Sequence, residues 1–179
     1  MKNKMMVTAA IILFAFTGLQ AQNRFSFGLV GTRFENFNND SKLTNIKDPF
    51  GYGLVAGYTL NKDLTIAFTG EYFKDNMENT PGNERDIRTH VSLYLTPFSM
   101  KDIRPYISAG IVYTNRQFEF TALNTTENNG RFDGRFGAGV DFHLISNLSL
   151  NLDAALYNDG MHIAGWSSSA GLRINTGIL

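Results

Sequence analysis

The chain has 179 residues, which suits a single domain, and its 16 basic and 16 acidic residues cancel to no net charge. That balance gives no reason to expect a nucleic-acid partner. Cysteine is absent, which excludes a disulfide framework and a lipid-bearing cysteine, so the fold depends on backbone pairing and packing. The 17 glycines, 15 phenylalanines and 7 tyrosines favour sheet structure next to an amphipathic environment.

The first segment has the three-part pattern of a secretory signal peptide. Lys2 and Lys4 precede an apolar run, and small residues lead to a cleavage position after Ala21. The alternative is an uncleaved anchor, but this run is shorter than the roughly 20 apolar residues that span a bilayer. We therefore predict a signal peptide over residues 1–21 and one domain over residues 22–179, without membrane-spanning helices.

The remaining chain alternates between apolar and polar residues with a period of two, the pattern of β-strands with unlike faces. In GRFGAGVDFHL, for example, Phe136 and Val140 fall on one side and Arg135 and Asp141 on the other. Segments of this kind predict strands at residues 23–33, 50–60, 64–74, 86–97, 105–118, 131–144, 148–158 and 163–175.

The connections between these segments alternate in length. The short ones are residues 61–63, 98–104 and 145–147. The long, polar and Asn-rich ones are residues 35–48, 74–85 and 119–130. The last connection on the long side, residues 158–162, is short and is the exception. Turns at one end and long loops at the other are typical of an even-stranded outer-membrane barrel, whereas a soluble sandwich has no reason to sort its loops.

The polar face decides which side of the sheet meets lipid. An enclosed, narrow lumen needs small residues and opposite charges that neutralise each other, whereas a solvated surface, the alternative, usually favours lysine. The glycines on this face are Gly53, Gly57, Gly137, Gly139 and Gly171. We predict a polar network in the lumen of a barrel, formed by Glu71, Arg88, His90, Arg116, Asp133, Arg135, Asp141, His143, Asp153 and Arg173.

This interpretation makes an early prediction about substitutions on one strand. Val140→Asp, on the face expected to meet lipid, should impair membrane insertion far more than Gly139→Ser on the lumen face. Aromatic residues near the strand ends are expected to form girdles at the membrane boundaries: Phe25, Phe27, Phe50, Tyr52, Tyr58, Tyr72, Phe132, Phe142 and Trp166.

Together, the signal peptide, the eight alternating segments and the loop order resemble the small eight-stranded outer-membrane β-barrels, the porin-family group that contains OmpX and the transmembrane domain of OmpA. The last segment, GLRINTGIL, is similar to the insertion signal of that family, with Leu172 and Ile174 alternating, but it ends in Leu179 where an aromatic residue is commoner. The resemblance implies an all-β, eight-stranded antiparallel up-and-down transmembrane β-barrel in the outer membrane of a Gram-negative cell.

The evidence for catalysis is weak. His90-Val91-Ser92 has the His-x-Ser spacing of lipid A deacylases. The predicted assignment of faces, however, places both side chains in the lumen, and no acid partner is identifiable. His90, His143 and His162 lie too far apart in sequence to predict a metal site. Acidic loop residues could meet divalent cations, but such residues are usually solvated. No cofactor is expected.

The sequence therefore predicts a non-enzymatic barrel with a structural or surface-interaction role through its extracellular loops. The alternative is a narrow porin-like channel, and a lipid A modifying enzyme is a distant third. Expected partners are outer-membrane lipid and lipopolysaccharide, periplasmic chaperones and the barrel assembly machinery, while the extracellular ligand is unknown. Exposed aromatic residues that could serve adhesion are Phe34, Phe37, Phe118 and Phe120.

Overall fold

The computed structural model describes residues 25–36, 50–76, 82–120, 125–145, 147–158, 160 and 162–176. In this part of the chain, no helix is long and apolar enough to cross a membrane. The described residues form eight strands: β1 (Phe25–Asn36), β2 (Phe50–Asn61), β3 (Leu64–Asn76), β4 (Gly82–Leu95), β5 (Ile103–Phe120), β6 (Thr125–Ile145), β7 (Leu148–Asn158) and β8 (Ile163–Asn175).

The strands form one closed barrel. Each strand pairs in antiparallel fashion with its neighbour in the chain, and β8 closes the sheet by pairing with β1, so that Leu29 lies opposite Leu172. Closure pairs the backbone groups of the barrel wall with one another, which is the condition for a sheet to cross hydrocarbon. The predicted eight-stranded up-and-down barrel is confirmed.

The faces of the strands follow the predicted phase. On β6, the Arg135 residue is only 3% exposed, while its neighbour Phe136 is 59% exposed. Leu29, Leu54 and Ile111 are also exposed, so the apolar side chains form the outer surface and the polar side chains fill the interior. This arrangement inverts that of a soluble protein, and it suits a barrel whose outside contacts lipid.

Two predicted connections are shorter in the structure than expected. The connection between β5 and β6 was predicted over residues 119–130 but covers only residues 121–124. The reason is that β6 begins at Thr125 and pairs with β5 as far as Phe120. β4 likewise begins at Gly82 instead of residue 86. These added segments are polar, so the apolar alternation that revealed the other strands is missing from them.

Two connections show how short polar residues form turns. Asn61 is the last residue of β2. Its side-chain oxygen accepts hydrogen bonds from the backbone N–H groups of Asp63 and Leu64, each at 2.9 Å. Between β7 and β8, Gly160 has a φ of 97°, which a residue with a side chain rarely adopts. Its N–H donates to the Asn158 side chain at 2.6 Å.

We call the end of the barrel that carries residues 37–49, 77–81 and 121–124 the long-loop end, and the opposite end the turn end. Several sequence predictions lie outside the described residues. They concern the signal peptide over residues 1–21, most of the loop at residues 35–48, Phe37, the side chain of Phe120, and Leu179.

Candidate functional site

The candidate site is the barrel lumen, where the ten residues of the predicted polar network all lie on the inward face. Four are partly exposed: Arg116, Asp141, His143 and Arg173. Six are buried: Glu71, Arg88, His90, Asp133, Arg135 and Asp153. They form three layers along the barrel axis, which differ in their contacts.

The middle layer centres on an ion pair between Arg135 of β6 and Asp153 of β7. Arg135 also donates to the Ser108 hydroxyl at 3.0 Å, and the Tyr106 hydroxyl donates to Asp153 at 3.1 Å. A buried charge pair is tolerated only when further hydrogen bonds satisfy its remaining polar groups. Tyr106 and Ser108 supply two of those bonds.

The upper layer, toward the long-loop end, is built around Arg88. Its guanidinium lies between the rings of Phe34 and Phe73, 3.7 and 4.5 Å from their centroids, and donates to Asp86 at 3.2 Å. Asp86 also accepts from Arg116 at 3.1 Å. The cation–π contacts between the guanidinium and the two rings close this end of the lumen. The Asp86 carboxylate, which Arg88 and Arg116 share, holds the cluster together.

This layer contains residues that sequence reasoning missed. Asp86 was not predicted to belong to the polar network. It is the first residue of the predicted fourth strand and lies two residues before Arg88, so both side chains were expected on one face. The prediction that Phe34 is an exposed adhesive residue is wrong, because it is 3% exposed and packs inside the barrel against Tyr157. Phe118 is partly exposed, with the Arg116 guanidinium 6.0 Å from its ring centroid.

The lower layer, toward the turn end, is a tyrosine and amide network. Tyr94 and Tyr106 pack edge to face with centroids 4.9 Å apart. The Asn151 side chain donates to the Asp141 carboxylate and to the Tyr106 hydroxyl, both at 2.8 Å. Arg173 lies 3.8 Å from Asp141 and 5.4 Å from the centroid of Tyr94. Both ends of the lumen are therefore filled by side chains that hold one another in place.

Two small cavities lie between these layers. One of about 20 Å³ borders Glu71, His90 and Arg135, and another of about 40 Å³ borders His143 and Arg173 nearer the turn end. Volumes of this size hold a few water molecules at most, since one water needs about 10–15 Å³. Neither of these two cavities is large enough to form a continuous aqueous path.

His90 is the centre of an arrangement that resembles a catalytic triad. Its Nδ1 lies 3.4 Å from the Ser92 hydroxyl, and its Nε2 lies 3.7 Å from the Glu71 carboxylate. Glu71 is the acidic neighbour that the sequence could not identify, because it comes from the adjacent strand. All three side chains are at least 95% buried inside the barrel, and Glu71 also accepts from Thr32, so a lipid in the membrane has no path to Ser92.

The lumen glycines are sites of close packing. A side chain on Gly139 would meet the backbone oxygen of Leu152 and the phenol of Tyr106. Gly139→Ser therefore overpacks the lumen, while the predicted larger effect of Val140→Asp on insertion stays a prediction.

We predict that Gly139→Ser lowers the free energy of unfolding by about 1–3 kcal/mol, the usual range for overpacking. The control is Gly134→Ser on the outer face, where an added Cβ has only ordinary contacts at 3.7 Å. The measurement is urea unfolding of both variants in phospholipid vesicles. Equal stability of the two would contradict the packing argument.

The outer surface carries aromatic pairs near the long-loop end. Tyr52 and Tyr72 lie across β2 and β3 with centroids 5.7 Å apart, and Tyr113 and Phe132 lie across β5 and β6 at 4.8 Å. Trp166 donates through its indole nitrogen to Glu35 at 2.6 Å. Such amphipathic rings are suited to the boundary between headgroups and hydrocarbon.

At the long-loop end, β6 extends beyond its neighbour β7. β6 pairs with β5 from Thr125 onward, but its pairing with β7 begins only at Gly134. Residues 125–133 thus have a second side that no described strand covers. We call this segment the β6 edge.

The sequence matches the model of the outer membrane protein β-barrel domain family over residues 6–175. Because the match covers nearly the whole chain, the protein belongs to this family of transmembrane barrels. No curated protein matches the sequence.

Solved structures share the fold at low sequence identity. Neisserial surface protein A aligns with a TM-score of 0.60 and 15% identity, covering 84% of this chain and 95% of that chain. The N-terminal barrel of Pseudomonas aeruginosa OprF aligns at 0.59 and 18%, covering 87% and 99%. The attachment invasion locus protein of Yersinia pestis, Ail, aligns at 0.53 and 14%, covering 85% and 95%.

An enzyme is also among the similar structures. The outer membrane enzyme PagL aligns with a TM-score of 0.50 and 18% identity, covering 83% of this chain and 99% of that chain. The same barrel is thus shared by enzymes and by other surface proteins, and function must be argued from the particular site.

Proposed function

We propose that the protein is a non-enzymatic barrel of a Gram-negative outer membrane with a structural or surface-interaction role through its long-loop end, which faces the cell exterior. The observation that carries this proposal is the β6 edge, nine residues of extended backbone that pair with β5 and extend beyond β7. A rigid scaffold that presents a segment in this way is a common arrangement for binding.

The β6 edge suits contact through the backbone. An uncovered strand presents a row of N–H and C=O groups that can pair with an extended segment of another protein. Phe132 on this edge is 71% exposed and would add apolar contact, while the Arg131 side chain is held by Asp133 at 2.9 Å. Recognition would then depend on strand pairing and on a few side chains.

The lumen supports this proposal over the two alternatives. A porin-like channel needs a water-filled path, whereas the interior here is filled by three side-chain layers. A lipid A modifying enzyme needs Ser92 and His90 to meet lipid, whereas both are enclosed. We also propose lipopolysaccharide and outer-membrane lipid as the surroundings of the barrel, and periplasmic chaperones and the barrel assembly machinery as its partners during insertion.

The test shortens the hairpin at its tip and also removes Phe118–Phe120, the β5 partners of the first three residues of β4. Residues 118–127 are replaced by Asn-Gly, a two-residue turn that joins the paired residues Gln117 and Asn128, and Phe132→Ser removes the exposed ring from the part of the β6 edge that remains. Non-adherent cells that carry either form are compared for adhesion to surfaces coated with serum or matrix proteins. Adhesion by the wild type that falls to background in the shortened form supports the proposal.

The control replaces residues 77–80 with a Gly-Ser segment of equal length, and heat-modifiable gel migration shows that all forms are folded. Wild-type cells that do not adhere to any coating, or a shortened form that adheres as well as the wild type, would overturn the proposal.

A further inference from the structure

The outer face of β1–β4 carries an apolar groove of about 650 Å³. This volume falls within the range of about 300–1,000 Å³ that is usual for small-molecule sites. The outward side chains around it are those of Leu29, Tyr52, Leu54, Tyr72 and Ile87.

The groove exists because Gly70 lies at its centre. A Cβ built on Gly70 would meet nothing within 4 Å, and the outward neighbours on its strand are Phe68 and Tyr72. Alternate residues of each strand normally cover the outer face with side chains. One missing side chain among large ones leaves a hollow, and on a surface that contacts hydrocarbon such a hollow takes an acyl chain.

Two cations lie beyond the groove toward the long-loop end. Lys74 of β3 and Arg85 of β4 are directly paired in the sheet, and each is two residues beyond Tyr72 and Ile87. At a rise of roughly 3.3 Å per residue, the cations lie about 7 Å along the strands from the groove's rim. Lys74 is exposed and Arg85 is partly exposed, so both can reach an anion at the membrane boundary.

We propose that this surface binds lipopolysaccharide, with one acyl chain in the groove at Gly70 and a phosphate of the sugar headgroup on Lys74 and Arg85. The groove and the cations fit a lipid whose phosphate lies directly above its acyl chains, since arginine and lysine bind phosphate well, and lipopolysaccharide is the lipid of this kind that we place around the long-loop end. The proposal requires the long-loop end to face the outer leaflet, but it does not depend on the β6 edge or on any adhesive role.

The first test uses native mass spectrometry of the refolded barrel in detergent with purified lipopolysaccharide, its enzymatically dephosphorylated form, and phosphatidylglycerol. Gly70→Leu fills the groove and should weaken binding of both lipopolysaccharide forms by about tenfold or more. Gly134→Leu is the matched control on the opposite wall, and its binding should equal that of the wild type. Gly70→Ala gives a milder filling if the leucine variant folds poorly.

The second test separates the headgroup from the acyl chain. The double substitution Lys74→Gln and Arg85→Gln should weaken binding of intact lipopolysaccharide by about tenfold and leave the dephosphorylated form unchanged. The control is Lys62→Gln with Lys101→Gln, two exposed lysines at the turn end.

Three results would overturn the proposal. The first is equal loss of binding in Gly70→Leu and Gly134→Leu, which would mean that lipid coats the barrel without a preferred site. The second is phosphatidylglycerol binding as strongly as lipopolysaccharide. The third is a complex of two barrels that disappears in Gly70→Leu, which would make the groove a contact between copies of this chain.

Discussion

Asp153→Ala is expected to lower the free energy of unfolding by about 3–5 kcal/mol, because it leaves Arg135 buried without its charge partner. The side chains of this pair are only 4% and 3% exposed, so water cannot replace the lost carboxylate. The loss can be followed by urea unfolding in phospholipid vesicles through the fluorescence of Trp166, the single tryptophan of the chain.

A second variant separates charge burial from simple loss of contacts. The double substitution Arg135→Met with Asp153→Leu removes both charges and keeps similar volume, and should recover most of the stability that Asp153→Ala loses. If the double variant were less stable than Asp153→Ala, the ion pair would be stabilising in its own right and the argument from uncompensated charge would be wrong.

Val140→Arg is expected to destabilise the inserted barrel by about 2–4 kcal/mol, the cost of a cation on the lipid face near the bilayer centre. Val140 lies on the outward face of β6, directly opposite Leu152 of β7, well inside the barrel wall. The measurement is again unfolding in vesicles, together with the yield of heat-modifiable barrel.

Val140→Leu is the control, since it adds volume without charge and should remain close to the wild type. If Val140→Arg and Val140→Leu were equally stable, the outward face of β6 would not contact hydrocarbon, and the assignment of faces would be wrong.

Much of the barrel could be predicted from alternation alone. β7 and β8 have the bounds expected from the sequence, because apolar residues alternate with small or polar residues along most of each strand. The same period placed Arg135 and Asp153 inside and Phe136 outside. A strand with one face in lipid needs an unbroken apolar row, so its signal in the sequence is strong.

The remaining features depend on neighbours that are distant in sequence. Contact between Glu71 and His90 follows from the register between β3 and β4. Alternation predicts the face of each residue but not which residues of two strands lie opposite each other. Phe34 breaks the pattern, because it is an apolar ring on the polar inner face, where the Arg88 guanidinium stacks on it. Residues 125–130 of the β6 edge were missed because all six are polar or glycine, and such a segment has the composition of a loop.

The most direct test of a packed lumen is the single-channel conductance of the refolded chain in planar bilayers, with heat-modifiable migration of the same sample as proof of folding. We predict no discrete conductance steps from the folded barrel, because Arg88, Phe34 and Phe73 close one end of the lumen and Tyr94 and Tyr106 fill the other. Reproducible steps from the folded wild-type barrel would contradict the account and make the lumen charges the lining of a pore.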